Sequence, residues 1–415
     1  MKVIHFSYMD NGGAGTAAVR YHKLMQEMGI DSTLYVRKKT LDDDSIVALK
    51  SCKMKRCTSD SARHLLKEAV TRLIGLLTGH SKEPYCFFDF AGTCKKGLIP
   101  DLINKIDCKG IDFVFVHWLG DFMNSYDLVH LYNATRAKFV FSMMDLEAVT
   151  GGCHYPWQCK KYQVNCIDCP ALPIATNILA HNQLMAKVAN YAYTDADIFS
   201  SSLYDLEVAK KSIVPFNKYW HLYYPIDENI FKPEKERVQS GEITLFSNVN
   251  NIDDPKKGFN YLLAILLSID KKTTRKIRFL CLPNRNYRNY DFKNITFEEF
   301  SFCKSVNDLV PLYQKTDIFL CCSIEDSSPM MLQEALLCGV PAISFDTGIG
   351  RLLIEDGKHG YVVPRYDIKG FEEKLLTMIS GKSSTIESPK EIHEHMVAVC
   401  GKEVVKSRLK EILGI

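Results

Sequence analysis

The feature that most constrains this chain is an alternation of short apolar runs with amphipathic stretches, met twice in succession. Val3-Ile4-His5-Phe6-Ser7-Tyr8 reads as a buried-type strand that runs into the glycine turn Asn11-Gly12-Gly13-Ala14-Gly15. A helix is expected from about Thr16, because Ala17, Tyr21, Leu24, Met25 and Met28 recur at helical spacing. Gly29 reads as its C-cap, and Ser32-Thr33-Leu34-Tyr35-Val36 as the next strand. Further strand-like runs lie at 113–116, 139–141 and 196–200. The polar stretch Lys232 to Glu242 interrupts the pattern and is the expected linker. Alternation then restarts with strands at 243–246, 277–282, 317–321 and 342–345, and a helix from Tyr261 to Ile269. Two βαβ series in tandem predict an α/β chain of two Rossmann-like, doubly wound domains, with ligands at the carboxyl ends of the strands and a cleft between the domains. The expected division is 1–235 and 236–390, with a helical segment 391–415 that could pack on either domain.

Composition removes several function classes. Among 415 residues, 52 Lys and Arg face 49 Asp and Glu, so no global field points to nucleic acid. The 15 cysteines are odd in number and scattered, and the N-terminus enters a strand without a long apolar leader. Both features fit a reducing, cytoplasmic setting. No run is apolar over the length that a spanning helix requires.

The stretch richest in chemistry is Ser323-Ile324-Glu325-Asp326-Ser327-Ser328-Pro329-Met330-Met331-Leu332-Gln333-Glu334-Ala335. A buried strand ends near Cys322, an acidic turn follows, and a helix begins with Ser328 placed to cap it and Pro329 in its first turn. The amides from Ser327 to Met331 and the positive end of the helix form a ready site for a diphosphate. Seven residues separate the carboxylates of Asp326 and Glu334. Read on capping alone, the same residues fit a well-capped helix with solvated acids.

Asp326-X7-Glu334, followed by Ala335-Leu336-Leu337-Cys338-Gly339-Val340-Pro341-Ala342, resembles the Glu-X7-Glu segment of retaining GT-B glycosyltransferases of glycosyltransferase family 4. Gly348, Gly350, Asp356-Gly357 and Gly360-Tyr361-Val362-Val363-Pro364 resemble that family's ending. Upstream, Asp254-Pro255-Lys256-Lys257-Gly258-Phe259 resembles its phosphate-binding turn, and Tyr224 to Pro233 its interdomain strand. Gly12-Gly13-Ala14-Gly15 and Thr150-Gly151-Gly152-Cys153-His154-Tyr155 resemble the branch that builds capsule and colanic acid.

The resemblance implies a GT-B fold and transfer of a sugar, with retention, from a UDP- or GDP-linked donor to a saccharide or polyprenyl-linked acceptor. It implies no cofactor for catalysis, and a place in bacterial surface polysaccharide assembly (capsule or lipopolysaccharide). By resemblance Glu334 holds the donor's ribose, Asp326 faces the transferred sugar, and Lys257 neutralises the leaving diphosphate with the amides around Ser327, Ser328, Met330 and Met331. Lys256 and Glu325 join the donor side, where Glu325 could substitute for the shorter Asp326. Gly12, Gly13, Gly15 and His117 fall on the acceptor side, and His117 and Asp145 among the catalytic residues. The family's histidine–aspartate pair is here Met144-Asp145. A nucleotide-sugar epimerase and a non-catalytic sugar-nucleotide-binding subunit are the alternatives on this architecture.

Cys153, Cys159, Cys166 and Cys169 are spaced C-x5-C-x6-C-x2-C within the loop 151–170. Structural zinc, reduced buried thiols and an opportunistic disulfide all fit that spacing. Residues 37–72 hold ten Lys or Arg against five acids, and Arg63 to Leu77 carries an apolar stripe beside basic positions. That fits an interfacial helix on the anionic inner face of the cell membrane, and equally an ordinary surface helix.

Overall fold

The structure, a computed structural model, describes residues 1–49, 88–89, 91–95, 97–99, 103–120, 122–172, 176–234, 241–249, 252–283, 287–303, 305–381 and 385–415. They fall into two compact units, Met1–Leu222 and Tyr223–Ile415. The basic, apolar-striped segment Arg63 to Leu77 lies outside the described residues, and no described helix is long and apolar enough to cross a membrane.

The first unit carries β1 (Lys2–Met9), β2 (Asp31–Lys38), β3 (Ile46–Ala48), β4 (Phe113–Val116), β5 (Lys138–Ser142), β6 (Ala196–Ser200) and β7 (Tyr219–His221). Its described helices are α1 (Gly12–Glu27), α2 (Ser125–Thr135), α3 (Ile178–Tyr193) and α4 (Leu203–Lys211). The strands form one parallel sheet in the order β3-β2-β1-β4-β5-β6-β7. β6 is buried along its whole length, as is expected of a strand covered on both faces.

The second unit carries β8 (Ile243–Ser247), β9 (Ile277–Cys281), β10 (Ile295–Glu299), β11 (Ile318–Cys321), β12 (Ala342–Phe345) and β13 (Gly360–Val363). Its helices are α5 (Phe259–Lys272), α6 (Val306–Lys315), α7 (Met330–Leu337), α8 (Gly350–Leu353), α9 (Ile368–Ile379), α10 (Pro389–Cys400) and α11 (Lys402–Leu413). The sheet is again parallel, in the order β10-β9-β8-β11-β12-β13. The stretch ahead of the expected linker packs within this unit. Phe231 meets the ring of Tyr313, and Gln333 donates to the Tyr224 carbonyl at 3.1 Å. The C-terminal helices belong here too, since the Lys402 ammonium lies 3.3 Å from Asp227.

Two details depart from the sequence reading. The glycine turn is not a separate loop: α1 begins at Gly12 itself, whose φ of 69° glycine tolerates without a Cβ penalty. Helix α7 starts one residue later than expected. Pro329 occupies the N-cap position, and Ser328 makes no capping bond. The reason is local, because the Asp326 carboxylate takes the Ser328 N–H at 3.2 Å and holds the turn open through Pro329.

In each sheet the chain reverses its winding once, between β1 and β4 and between β8 and β11. Ligands of doubly wound folds bind outside the carboxyl ends of the strands at such points. At the second, Gly258 sits in left-handed backbone (φ 73°), and a Cβ there would lie 1.9 Å from the Cys322 carbonyl oxygen. Gly258→Ala is therefore expected to destabilise the second unit by about 2–4 kcal/mol, read by denaturant unfolding. A variant as stable as wild type would contradict this packing.

Candidate functional site

The loops leaving β8 and β11 are laced together. Asp254 accepts the Lys256 N–H at 3.1 Å and opens the short turn Pro255–Lys257. The Ile324 N–H then donates to the Lys256 carbonyl at 2.8 Å. Asn248 fastens the other side, donating to Ser323 Oγ at 2.8 Å and accepting the Cys322 N–H at 3.2 Å. With the loops so held, Lys257 Nζ stands 2.7 Å from Asp326 Oδ2. Burial works against the charge on Lys257, but the adjacent carboxylate outweighs it and holds the ammonium above the ordinary lysine range.

The neighbouring charges are paired as well. Lys256 turns to Asp254 at 2.6 Å, and Glu325 to Arg365 at 3.0 Å. Burial pushes the Glu325 carboxyl up, against the pull of that guanidinium. Glu334, only 3% exposed, accepts the Tyr313 hydroxyl at 2.8 Å. Ser327 and Ser328 are buried, and the Ser328 hydroxyl has no hydrogen-bond partner among the described residues. Met330 and Met331 form the first turn of α7, where helix N–H groups lie outside the helix's own ladder. The structure thus brings Lys256, Lys257, Glu325, Asp326, Ser327, Ser328, Met330, Met331 and Glu334 to one sheet edge. Tyr313 and Arg365, which belong to no motif in the sequence, join them. Tyr313 lies 21 residues from its partner, and Arg365 stands one position past the glycine-rich ending.

In the first unit the expected residues separate into two environments. Gly15 packs beneath the Met9 carbonyl, where a Cβ would lie at 2.6 Å, whereas Gly13 faces open space. His117 is an interior residue. Its Nε2 lies 3.0 Å from His5 Nδ1, and the two rings stack. Burial pushes His117 down to about 3 and His5 well below its usual value, so both rings are neutral.

Asp145 instead meets His154, with a carboxylate oxygen 2.6 Å from Nδ1. Burial opposes charge on His154, yet Asp145, with Glu147 and Asp89 beyond it, raises it to about 9. The Trp118 indole N–H approaches the same ring at 3.4 Å. Although Met144 stands before Asp145, a histidine reaches that carboxylate from nine residues downstream. The sequence offered only the Gly-Gly-Cys-His loop as a signal for it.

Cys153, Cys159, Cys166 and Cys169 converge on one small cavity. Burial, followed by the neighbouring thiols, pushes Cys153 upward and Cys166 up to about 11. Among the described residues, no three His, Cys, Asp or Glu side chains are grouped so as to hold a metal ion as they stand.

Residues 244–381 match the family model described as Glycosyl transferases group 1, a span that contains every second-unit site residue named above. No curated protein matches the chain by sequence. Among solved structures, sucrose-phosphate synthase from Thermosynechococcus elongatus aligns with a TM-score of 0.65 at 13% identity, covering 99% of this chain and 98% of that one. HepE from Anabaena, in complex with UDP-glucose, aligns at 0.63 and 11% identity, covering 100% and 99%. The lipopolysaccharide outer core galactosyltransferase WaaB aligns at 0.57 and 14% identity, again over 100% and 99%. At such identities the likeness shows the fold: two Rossmann-like domains of the GT-B class.

The two histidine environments predict opposite limbs of a stability–pH curve. His154 is raised from 6.5 to about 9, so its contribution is complete below 6.5 and is lost as pH rises through 9. His117 is lowered from 6.5 to about 3, so its contribution is present above 6.5 and is lost as pH falls. Thermal unfolding of wild type should therefore weaken on both sides of neutrality. His154→Gln should remove an alkaline slope of about 2–4 kcal/mol while leaving the acid limb. An unchanged alkaline limb in that variant would contradict the ion pair.

Proposed function

We propose that the chain is a retaining glycosyltransferase, moving a sugar from a UDP- or GDP-linked donor to a saccharide or polyprenyl-linked acceptor. Bacterial surface polysaccharide assembly, in the cytoplasm at the inner face of the cell membrane, is the process it fits. The observation that carries this reading is the set at the β8/β11 edge: Lys257 on Asp326, the unpartnered Ser328 hydroxyl, the N-terminal turn of α7, and buried Glu334. The group 1 match over 244–381 supports it, as do two structural neighbours, one solved in complex with UDP-glucose and one a galactosyltransferase.

In this reading a departing nucleoside diphosphate gathers negative charge as the sugar–oxygen bond breaks. Lys257 and the first turn of α7 meet that charge, and they are held in place before the reaction begins. Ser328 donates a hydrogen bond to a phosphate oxygen. Glu334, held by Tyr313, accepts from the vicinal hydroxyls of the ribose, for which a carboxylate has two oxygens to offer. Asp326 exchanges Lys257 for hydroxyls of the transferred sugar. The first unit takes the acceptor, with His154 and Asp145 at the carboxyl edge of its sheet.

Calorimetry with free UDP and GDP, together with a transfer assay, tests these roles. Glu334→Ala should weaken diphosphate binding by about 1.5–3 kcal/mol, roughly 10- to 150-fold. Lys257→Ala should also bind more weakly, but its larger loss should fall on turnover at saturating donor. Asp326→Asn should bind free diphosphate at least as tightly as wild type, because it no longer competes for Lys257, while transfer falls. Wild-type affinity in Glu334→Ala would overturn the donor site. Donor binding by wild type without transfer to any acceptor in a broad panel would favour a non-catalytic subunit.

A further inference from the structure

We propose that Cys153, Cys159, Cys166 and Cys169 bind one zinc ion, which anchors the loop carrying His154 to the first unit. This goes beyond the sugar-transfer reading and does not depend on it. The four cysteines, 17 residues from first to last, all line one cavity of about 10 Å³, the room that a single water-sized guest fills.

The Cys166-Ile167-Asp168-Cys169 turn holds two non-glycine residues in left-handed backbone, with φ of 51° at Cys166 and 53° at Asp168. Such residues persist only where the surroundings over-determine them, and a metal held by both ends of the turn would do so. Lys161 lines the same cavity, and its ammonium is fixed 2.6 Å from the Asp168 carbonyl, where positive charge offsets that of a tetrathiolate.

The thiols are not yet at coordinating positions. Each sulfur is one rotatable bond from the backbone, and the proposal requires a change of rotamer to bring it onto a central ion. On binding, four S–H bonds give way to four S–Zn bonds, and the protons pass to solvent. A tetrahedral all-sulfur set selects zinc or iron among the common metals, and zinc needs no redox partner.

The ion has a definite structural task. Apart from the short turn Lys161–Gln163, the described residues between 151 and 172 form no helix or strand. The loop is tied to its surroundings by the Asp89 N–H on the Gly152 carbonyl at 2.7 Å and by Gly151, where a Cβ would lie 2.3 Å from the Ala180 carbonyl. His154 directly follows Cys153, so a metal on that sulfur fixes the imidazole against Asp145.

Elemental analysis of full-length protein, purified under reducing and chelator-free conditions, tests this. About one zinc per chain is expected. Cys166→Ser with Cys169→Ser should lose it, whereas Cys303→Ser should retain it. Because the double variant could fail to fold, wild type is also stripped and reloaded with cobalt. Thiolate-to-cobalt charge-transfer bands with tetrahedral ligand-field bands are expected at one equivalent. Wild type that neither contains zinc nor takes up cobalt with that spectrum overturns the proposal. So do iron in place of zinc, a disulfide among the four cysteines by mass spectrometry, and zinc that survives the double substitution in folded protein.

Discussion

Gly258 lies against the carbonyl of Cys322 so closely that no side chain fits between them, and the second unit's site depends on that approach. It brings the amino end of α5 up to the end of β11 and leaves the Ile324 N–H able to reach the Lys256 carbonyl. Lys257 and Asp326, 69 residues apart in sequence, then stand at hydrogen-bond distance. A parallel sheet supplies the edge; the missing Cβ supplies the closeness. The pairing has an electrostatic consequence. Lys256, Lys257 and Arg365 each already hold a carboxylate, so in the proposed function a diphosphate would compete with Asp326 for its cation. The hydroxyl of Ser328, by contrast, has no hydrogen-bond partner among the described residues, and a buried donor left so carries a cost.

The first unit shows how one residue type takes opposite charge states by environment. His5 and His117 stack within the core, with no carboxylate partner among the described residues, and desolvation keeps them neutral. His154 is also buried, but its neighbours are Asp145, Glu147 and Asp89, and their combined field keeps it charged. Lys187 completes this cluster through Glu147 and the Thr150 carbonyl, the latter at 3.0 Å. Buried charge of this kind persists only when it is paired and hydrogen-bonded.

The central strands were legible because they are buried on both faces and read as continuous apolar runs, as in Phe113-Val114-Phe115-Val116. The strands with the weakest sequence signal are β3, β7, β10 and β13, which are the edges of the two sheets. β10, Ile295-Thr296-Phe297-Glu298-Glu299, is half exposed and polar at its end, so its pattern carries little apolar signal. The donor-side residues were legible because their spacing sits on one turn and one helix. Tyr313, Arg365 and His154 were not, since each meets its partner only through the fold. The start of α7 lies one residue later than its sequence suggests for a similar reason. A serine before a proline reads as a cap, but Asp326 had already claimed the turn.

In the proposed function the carboxyl edge at the β8/β11 reversal holds a nucleoside diphosphate. Amide hydrogen exchange of the full chain, with and without UDP and GDP, tests it most directly. Slowed exchange is expected at residues 256–262 and 322–334, the lacing and the first turns of α5 and α7. Exchange unchanged there with both nucleotides, or slowed only within residues 1–222, would contradict it.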